Sequence, residues 1–131
     1  MSQEDVEIVR RMYEAYVAGD AERSLSFVHP DVAVDFSVRG DTSPSRGREA
    51  LAANVGTWIG TWEDYAEEIR EIRDLGDRVC VVATQRGRGK GSGLEIENLF
   101  AGLYEVEDGL ITSVTMFESP EAAFAAAREA G

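Results

Sequence analysis

The sequence has one cysteine, Cys80, and one histidine, His29. No intramolecular disulfide can form, the cysteine-rich spacings of structural zinc sites are missing, and a lone turn histidine without an ordered acid cluster gives no metal site. Cationic residues are scarce as well. Thirteen Lys and Arg against 25 Asp and Glu leave a formal charge of -12, so the molecule repels phosphate backbones and anionic lipid alike. Neither nucleic acid nor a membrane surface is expected as a partner. No apolar run approaches the roughly 20 residues of a spanning helix, and Met1-Ser2-Gln3-Glu4-Asp5 lacks the basic-then-apolar layout of a signal peptide. A reducing cytoplasm is the expected location. Gly-x-Ser-x-Gly elbows and phosphate-binding glycine loops are also absent, so neither a serine-histidine hydrolase nor a cofactor is expected.

What is present fits one globular domain over residues 1–131. At 44% apolar and 29% charged the chain is ordinary for a soluble protein, and its length suffices to bury a core unaided. Val6, Val9, Tyr13, Tyr16 and Val17 recur at helical spacing from Glu4 to Val17, with Gly19 as a stop. Asp20 caps a short helix to Phe27, which the His29-Pro30-Asp31 segment breaks. Alternation from Val32 to Val38 predicts a strand that points Val32, Val34, Phe36 and Val38 one way and Asp35 the other. The run from Gly40 to Ser45 is loop chemistry, and Leu51, Val55, Trp58, Ile59 and Trp62 mark a third helix weakened by Gly56 and Gly60. Four strands follow, about Tyr65 to Leu75, Asp77 to Lys90, Gly93 to Val106 and Leu110 to Glu118, before Ser119-Pro120 opens a last helix. Helices first and a strand run after them give an α+β class: helices covering a curved antiparallel sheet around a small-molecule pocket.

A turn at Gly91-Ser92 sets Arg86 opposite Glu97 and Arg88 opposite Glu95, and the neighbouring register sets Arg88 opposite Glu97 and Lys90 opposite Glu95. Either is a cross-strand charge ladder, which is how Arg86-Gly87-Arg88-Gly89-Lys90-Gly91 is read in preference to a nucleic-acid segment. The same pairing puts Val82, Leu99, Ala101, Leu103, Val114 and Met116 on one sheet face and Phe100, Gly102, Tyr104, Thr115 and Phe117 on the other. Both faces are apolar, and the helices are expected to cover only one. A second copy of the chain is therefore the expected cover for the first.

Val9-Arg10-Arg11-Met12-Tyr13-Glu14-Ala15-Tyr16-Val17-Ala18-Gly19-Asp20, the His29-Pro30-Asp31 break, Gly47-Arg48-Glu49-Ala50 opening a helix, and Tyr104 to Ile111 around the Glu-Asp-Gly turn resemble the SnoaL-like branch of the nuclear-transport-factor-2-like superfamily. The resemblance implies a cone-like α+β barrel with an apolar pocket, commonly homodimeric, among whose members are ketosteroid isomerases, polyketide cyclases and dehydratases. It sets Asp35 at the isomerase's general-base position. The matching oxyanion donors are missing, since Met12 and Gly102 stand at those positions and Tyr13 and Tyr16 point about 100° and 40° away from Met12. Steroid isomerisation is thus not expected.

An Asp35 beside apolar walls would be a proton acceptor for an apolar carbonyl compound, in an isomerisation, cyclisation or dehydration; an Asp35 in water or paired with Arg39 or Arg46 would not. Tyr13, Tyr16, Trp58, Gln85, Asn98, Phe100, Tyr104 and Thr115 are the candidate ligand contacts, with core packing as the alternative for the aromatics. Gln85 and Asn98 face each other across strands and either orient a ligand carbonyl or satisfy one another. A non-catalytic carrier or sensor, or an interaction module, is the alternative function.

Overall fold

The computed structural model describes residues 2–39 and 43–130; the Gly40-Asp41-Thr42 part of the expected loop lies outside them. Chain order is α1 (Ser2–Val17), α2 (Ala21–Ser26), β1 (Val28–Asp35), a 3-10 turn (Ser37–Arg39), β2 (Ser45–Arg46), α3 (Arg48–Gly60), β3 (Trp62–Asp74), β4 (Val79–Gly89), β5 (Glu95–Glu107), β6 (Leu110–Phe117) and α4 (Pro120–Ala130). The six strands form one curved sheet in the order β2-β1-β6-β5-β4-β3, antiparallel except where β1 runs parallel to β6. The α+β class, the N-terminal helices and the short last helix are as the sequence predicts.

Local chemistry accounts for the element ends. Val9, Met12 and Tyr13 are buried on one side of α1, and Tyr16 packs half-buried beside them. Gly19 then takes φ +83°, a left-handed angle that glycine adopts freely, and Asp20 donates its N–H back to the Ala15 carbonyl at 2.9 Å. Asp20 caps α2 by accepting from the Arg23 N–H at 3.1 Å, and Ser119 caps α4 by accepting from the Ala122 N–H at 3.1 Å.

Arg86 and Arg88 stand opposite Glu97 and Glu95, the first of the two registers the charges allow, and Arg86 Nε meets Glu97 at 2.8 Å. The glycine between the two arginines serves packing. A Cβ on Gly87 would lie 2.9 Å from the Trp62 Cβ, because the indole crosses the bare backbone of β4 there. Trp62 accordingly opens β3 and does not end α3.

Three expectations are corrected. His29-Pro30-Asp31 does not precede β1 but lies inside it; proline has no N–H to give, and the break shows as lost register with β6 between Val28 and Ala33. β1 stops at Asp35, so Val38 falls in the 3-10 turn and is exposed. On β6 the faces from Ser113 onward are the reverse of those expected. An irregularity in the β5–β6 ladder between Glu105 and Val106 shifts the count by one, so Met116 pairs with Gly102 and Val114 with Tyr104, while Thr115 sits opposite Leu103 and Phe117 opposite Ala101.

This places two apolar clusters on opposite sides of the sheet. The larger, inside the curve, joins α1, β1 and Leu51 of α3 to Val81, Ala83, Phe100, Tyr104, Val114 and Met116. The smaller, outside, joins Cys80, Val82, Ala101 and Leu103 to Ala123, Phe124 and Phe117. Thus α4 covers much of the face for which a second subunit is expected, and Val114 and Met116 do not belong to that face. Leu99, at 49% exposure, remains open on it.

Candidate functional site

Between α1, α2, α3 and the inner sheet face lies a cavity of about 340 Å³. This is near the lower end of the range of roughly 300–1,000 Å³ usual for small-molecule sites. Apolar side chains dominate its wall: Met12 and Leu25 near the helix turn, Phe36 from the end of β1, Leu51, Val55 and Ile59 from α3, Phe100 and Tyr104 from β5, Val114 and Met116 from β6. Gly102 has no side chain to fill the floor; a Cβ there would lie 3.1 Å from the Tyr104 ring, which leans across it. Exposed Gly19, Ala21, Ala52 and Gly56 form the rim between the α1–α2 turn and α3.

One charged side chain, Glu67, lines this wall among the described residues. The β3–β4 ladder is irregular between Glu63 and Ala66, where Tyr65 sits, and again between Ile69 and Glu71; from Tyr65 to Ile69 the half-buried Tyr65, Glu67 and Ile69 alternate with exposed Ala66 and Glu68. Three hydroxyls converge on the Glu67 carboxylate. Tyr13 Oη donates to Oε1 at 2.5 Å; Tyr16 Oη donates to Oε2 at 2.5 Å and Tyr65 Oη to the same oxygen at 2.7 Å. The direction at Tyr65 is fixed by its other neighbours. Trp58 Nε1 at 3.2 Å is a pure donor and Gln85 Nε2 donates at 3.0 Å, so the phenol accepts from both and its own proton goes to Glu67.

Burial, foremost, and the nearby negative charge of Glu67 push the Tyr13, Tyr16 and Tyr65 hydroxyls well above the ordinary tyrosine value of 10.0. They are neutral donors throughout the physiological range. Because the unfolded chain loses these protons at lower pH than the folded one, stability is intact below about pH 10 and falls as pH rises beyond it. In an alkaline titration followed at 295 nm, the phenolate signal of these three of the four tyrosines is expected to appear only together with loss of the far-ultraviolet dichroism. Their ionisation in a still-folded chain would contradict the buried cluster.

Of the residues singled out from sequence, Tyr13, Tyr16, Trp58, Phe100 and Tyr104 meet in this cavity. Gln85 stands behind it, buried, and holds Tyr65 in place of Asn98; Asn98, its cross-strand partner, is exposed. Asp35 does not line the cavity. It projects from the other face of β1, where its Oδ1 accepts from the Ser37 N–H at 3.0 Å and the Ser37 hydroxyl at 2.5 Å. Paired with it is Thr115, and together with Ser45, Arg46 and Ser113 they border a separate surface groove. Glu67 has no place among the sequence candidates. The signal for it is the Tyr65-x-Glu67-x-Ile69 alternation, which sets that acid on one strand face with Tyr65 and Ile69, both half-buried.

The sequence profile of the SnoaL-like domain matches residues 9–114. A search of curated proteins found no match. Among solved structures, TerC co-crystallised with polyporic acid is 20% identical, with a TM-score of 0.74 over 95% of this chain and 98% of that one. A proposed polyketide cyclase from Xanthomonas campestris pv. campestris is 26% identical, with a TM-score of 0.71 over 95% and 97%. A protein of ketosteroid isomerase-like fold from Catenulispora acidiphila, in complex with trimethylamine, is 20% identical, with a TM-score of 0.72 over 91% and 90%. Among the described residues no helix is long and apolar enough to cross a membrane.

Proposed function

The chain belongs to the SnoaL-like domain family, and from that premise we propose that its cavity binds a small, largely apolar organic molecule whose hydrogen-bond donor meets Glu67. The observation that carries this is the carboxylate itself. An ionised carboxyl group on an apolar wall is costly unless hydrogen-bonded, and here three tyrosines hold it in place without filling the cavity it faces. Two proteins of this fold, with polyporic acid and with trimethylamine, are small-molecule complexes, which supports the reading.

Cofactor-free proton transfer on an apolar carbonyl compound is the second reading, and the tyrosines favour it. Glu67 would take a proton from the carbon beside the carbonyl. Once neutral it holds the phenol protons less strongly, and the Tyr13 or Tyr16 hydroxyl can turn toward the oxygen on which charge develops. Proton acceptance is thereby assigned to Glu67 and not to Asp35. Self-association, where it occurs, is assigned to the part of the outer face around Leu99 that α4 leaves open.

A thermal-shift panel of apolar ketones, phenols, quinones and amines tests this. A ligand at a hundred times its Kd stabilises by about 2.7 kcal/mol, a shift of several degrees. Compounds that raise the melting temperature are expected to keep their effect on Asp35→Asn and lose it on Glu67→Gln. The opposite pattern would move the site to the Asp35 groove.

A further inference from the structure

We propose that the ligand class of this cavity is the protonated tertiary alkylamine, whose single N–H donates to Glu67 while its alkyl groups lie against the aromatic wall. The inference rests on the Glu67-facing cavity as the binding site and specifies what that site selects. Its first ground is an unmet charge. The carboxylate receives three hydrogen bonds from neutral phenols and, among the described residues, none from a cation. Among the described residues the ion pairs lie elsewhere, on exposed stretches of α1 and of β3 to β5, and none includes Glu67. A half-buried carboxylate without a counter-charge on an apolar wall gains from a ligand that brings one.

The second ground is valence. A carboxylate offers about four acceptor positions. Tyr16 and Tyr65 occupy Oε2 and Tyr13 takes one position on Oε1, which leaves one, also on Oε1. A primary ammonium would strand two of its three N–H groups among apolar walls; a tertiary ammonium has one to place. A ketone has none, and an anionic ligand meets repulsion. The third ground is the wall. Tyr13, Tyr16, Trp58, Phe100 and Tyr104 all contribute to it, and aromatic faces attract alkylammonium groups when water is excluded. The net charge of -12 adds a general attraction for cations at low salt.

Calorimetric titration with a matched set separates these grounds. The probes are N,N-dimethylcyclohexylamine, protonated at pH 7; its quaternary N-methyl analogue, which lacks the N–H; and 2-cyclohexyl-2-propanol, neutral and of similar shape. The tertiary ammonium is expected to bind at least about tenfold more tightly than either. Glu67→Gln is expected to erase that preference, with the circular-dichroism spectrum and the 295 nm titration checking the fold. If the alcohol binds wild type as tightly as the ammonium does, the amine class is overturned and the cavity stands. If the matched set fails while ketones or phenols bind, the amine class is again overturned alone. If nothing in either set binds, the cavity reading falls, and the amine class with it.

Discussion

Ala123→Asp is expected to lower stability by about 3 kcal/mol and to expose Cys80 to thiol reagents, both through release of α4. Ala123 has 0% exposure and packs with Cys80, Val82, Ala101 and Leu103. Phe124 beside it lies under the Arg73 guanidinium, 4.4 Å from the ring centroid. A carboxylate at that position would be buried among apolar groups, which costs several kcal/mol; undocking the helix relieves it, so the loss is limited to what the docking contributes. In the native fold burial pushes the Cys80 thiol up to about 11, and helix and sheet together seal it, so an Ellman-type reagent at pH 8 should not react until the chain unfolds. Fast reaction of Ala123→Asp under native conditions, with Ala123→Ser protected, is the expected pattern. A variant that keeps both its stability and its protected thiol would show that α4 is not the cover of this face.

Ile111→Ala is expected to cost about 3 kcal/mol, within the roughly 2–5 typical of a fully buried isoleucine, and to lower the melting temperature by about 10 °C. Ile111 has 0% exposure, belongs to the inner cluster and stands opposite Val28. Its N–H donates to the Phe27 carbonyl at 2.9 Å, and this tie joins β6 to the start of β1 just below the stretch where their register is lost. A hole there has few neighbours free to close it. Urea denaturation gives the value, and a loss below about 1 kcal/mol would mean that the seam repacks and does not set the spacing of the cavity wall.

The parts of this molecule that could be read from the chain are those set by neighbours in sequence. Helical spacing shows which side of α1 is buried, Gly19 and Asp20 mark the break after it, and opposite charges on β4 and β5 narrow their pairing to two registers. What could not be read depends on count or on distance. One irregular position after Glu105 reverses β6, which moves Val114 and Met116 into the cavity and Thr115 out of it. The same sensitivity hides Glu67, since two adjacent acids, Glu67 and Glu68, differ only in the face that the β3 irregularities assign them. Asp35 shows the converse: its strand was legible, and with it the side away from Val34 and Phe36, but not that the cavity belongs to those two. Nor does chain order say which side of the sheet α4 will take.

The irregularity between Glu105 and Val106 also governs how pocket chemistry can change by descent. Loss of the irregularity at unchanged chain length would carry the turn-side register along β6, set Thr115 opposite Gly102 and Phe117 opposite Phe100, and offer the cavity those two in place of Val114 and Met116, with no residue in the wall itself replaced. Two chains can therefore share every β6 side chain and still present different surfaces to a ligand. Within such a lineage, a change that gains or loses one irregular position near the β5–β6 turn can alter specificity as far as a substitution inside the cavity.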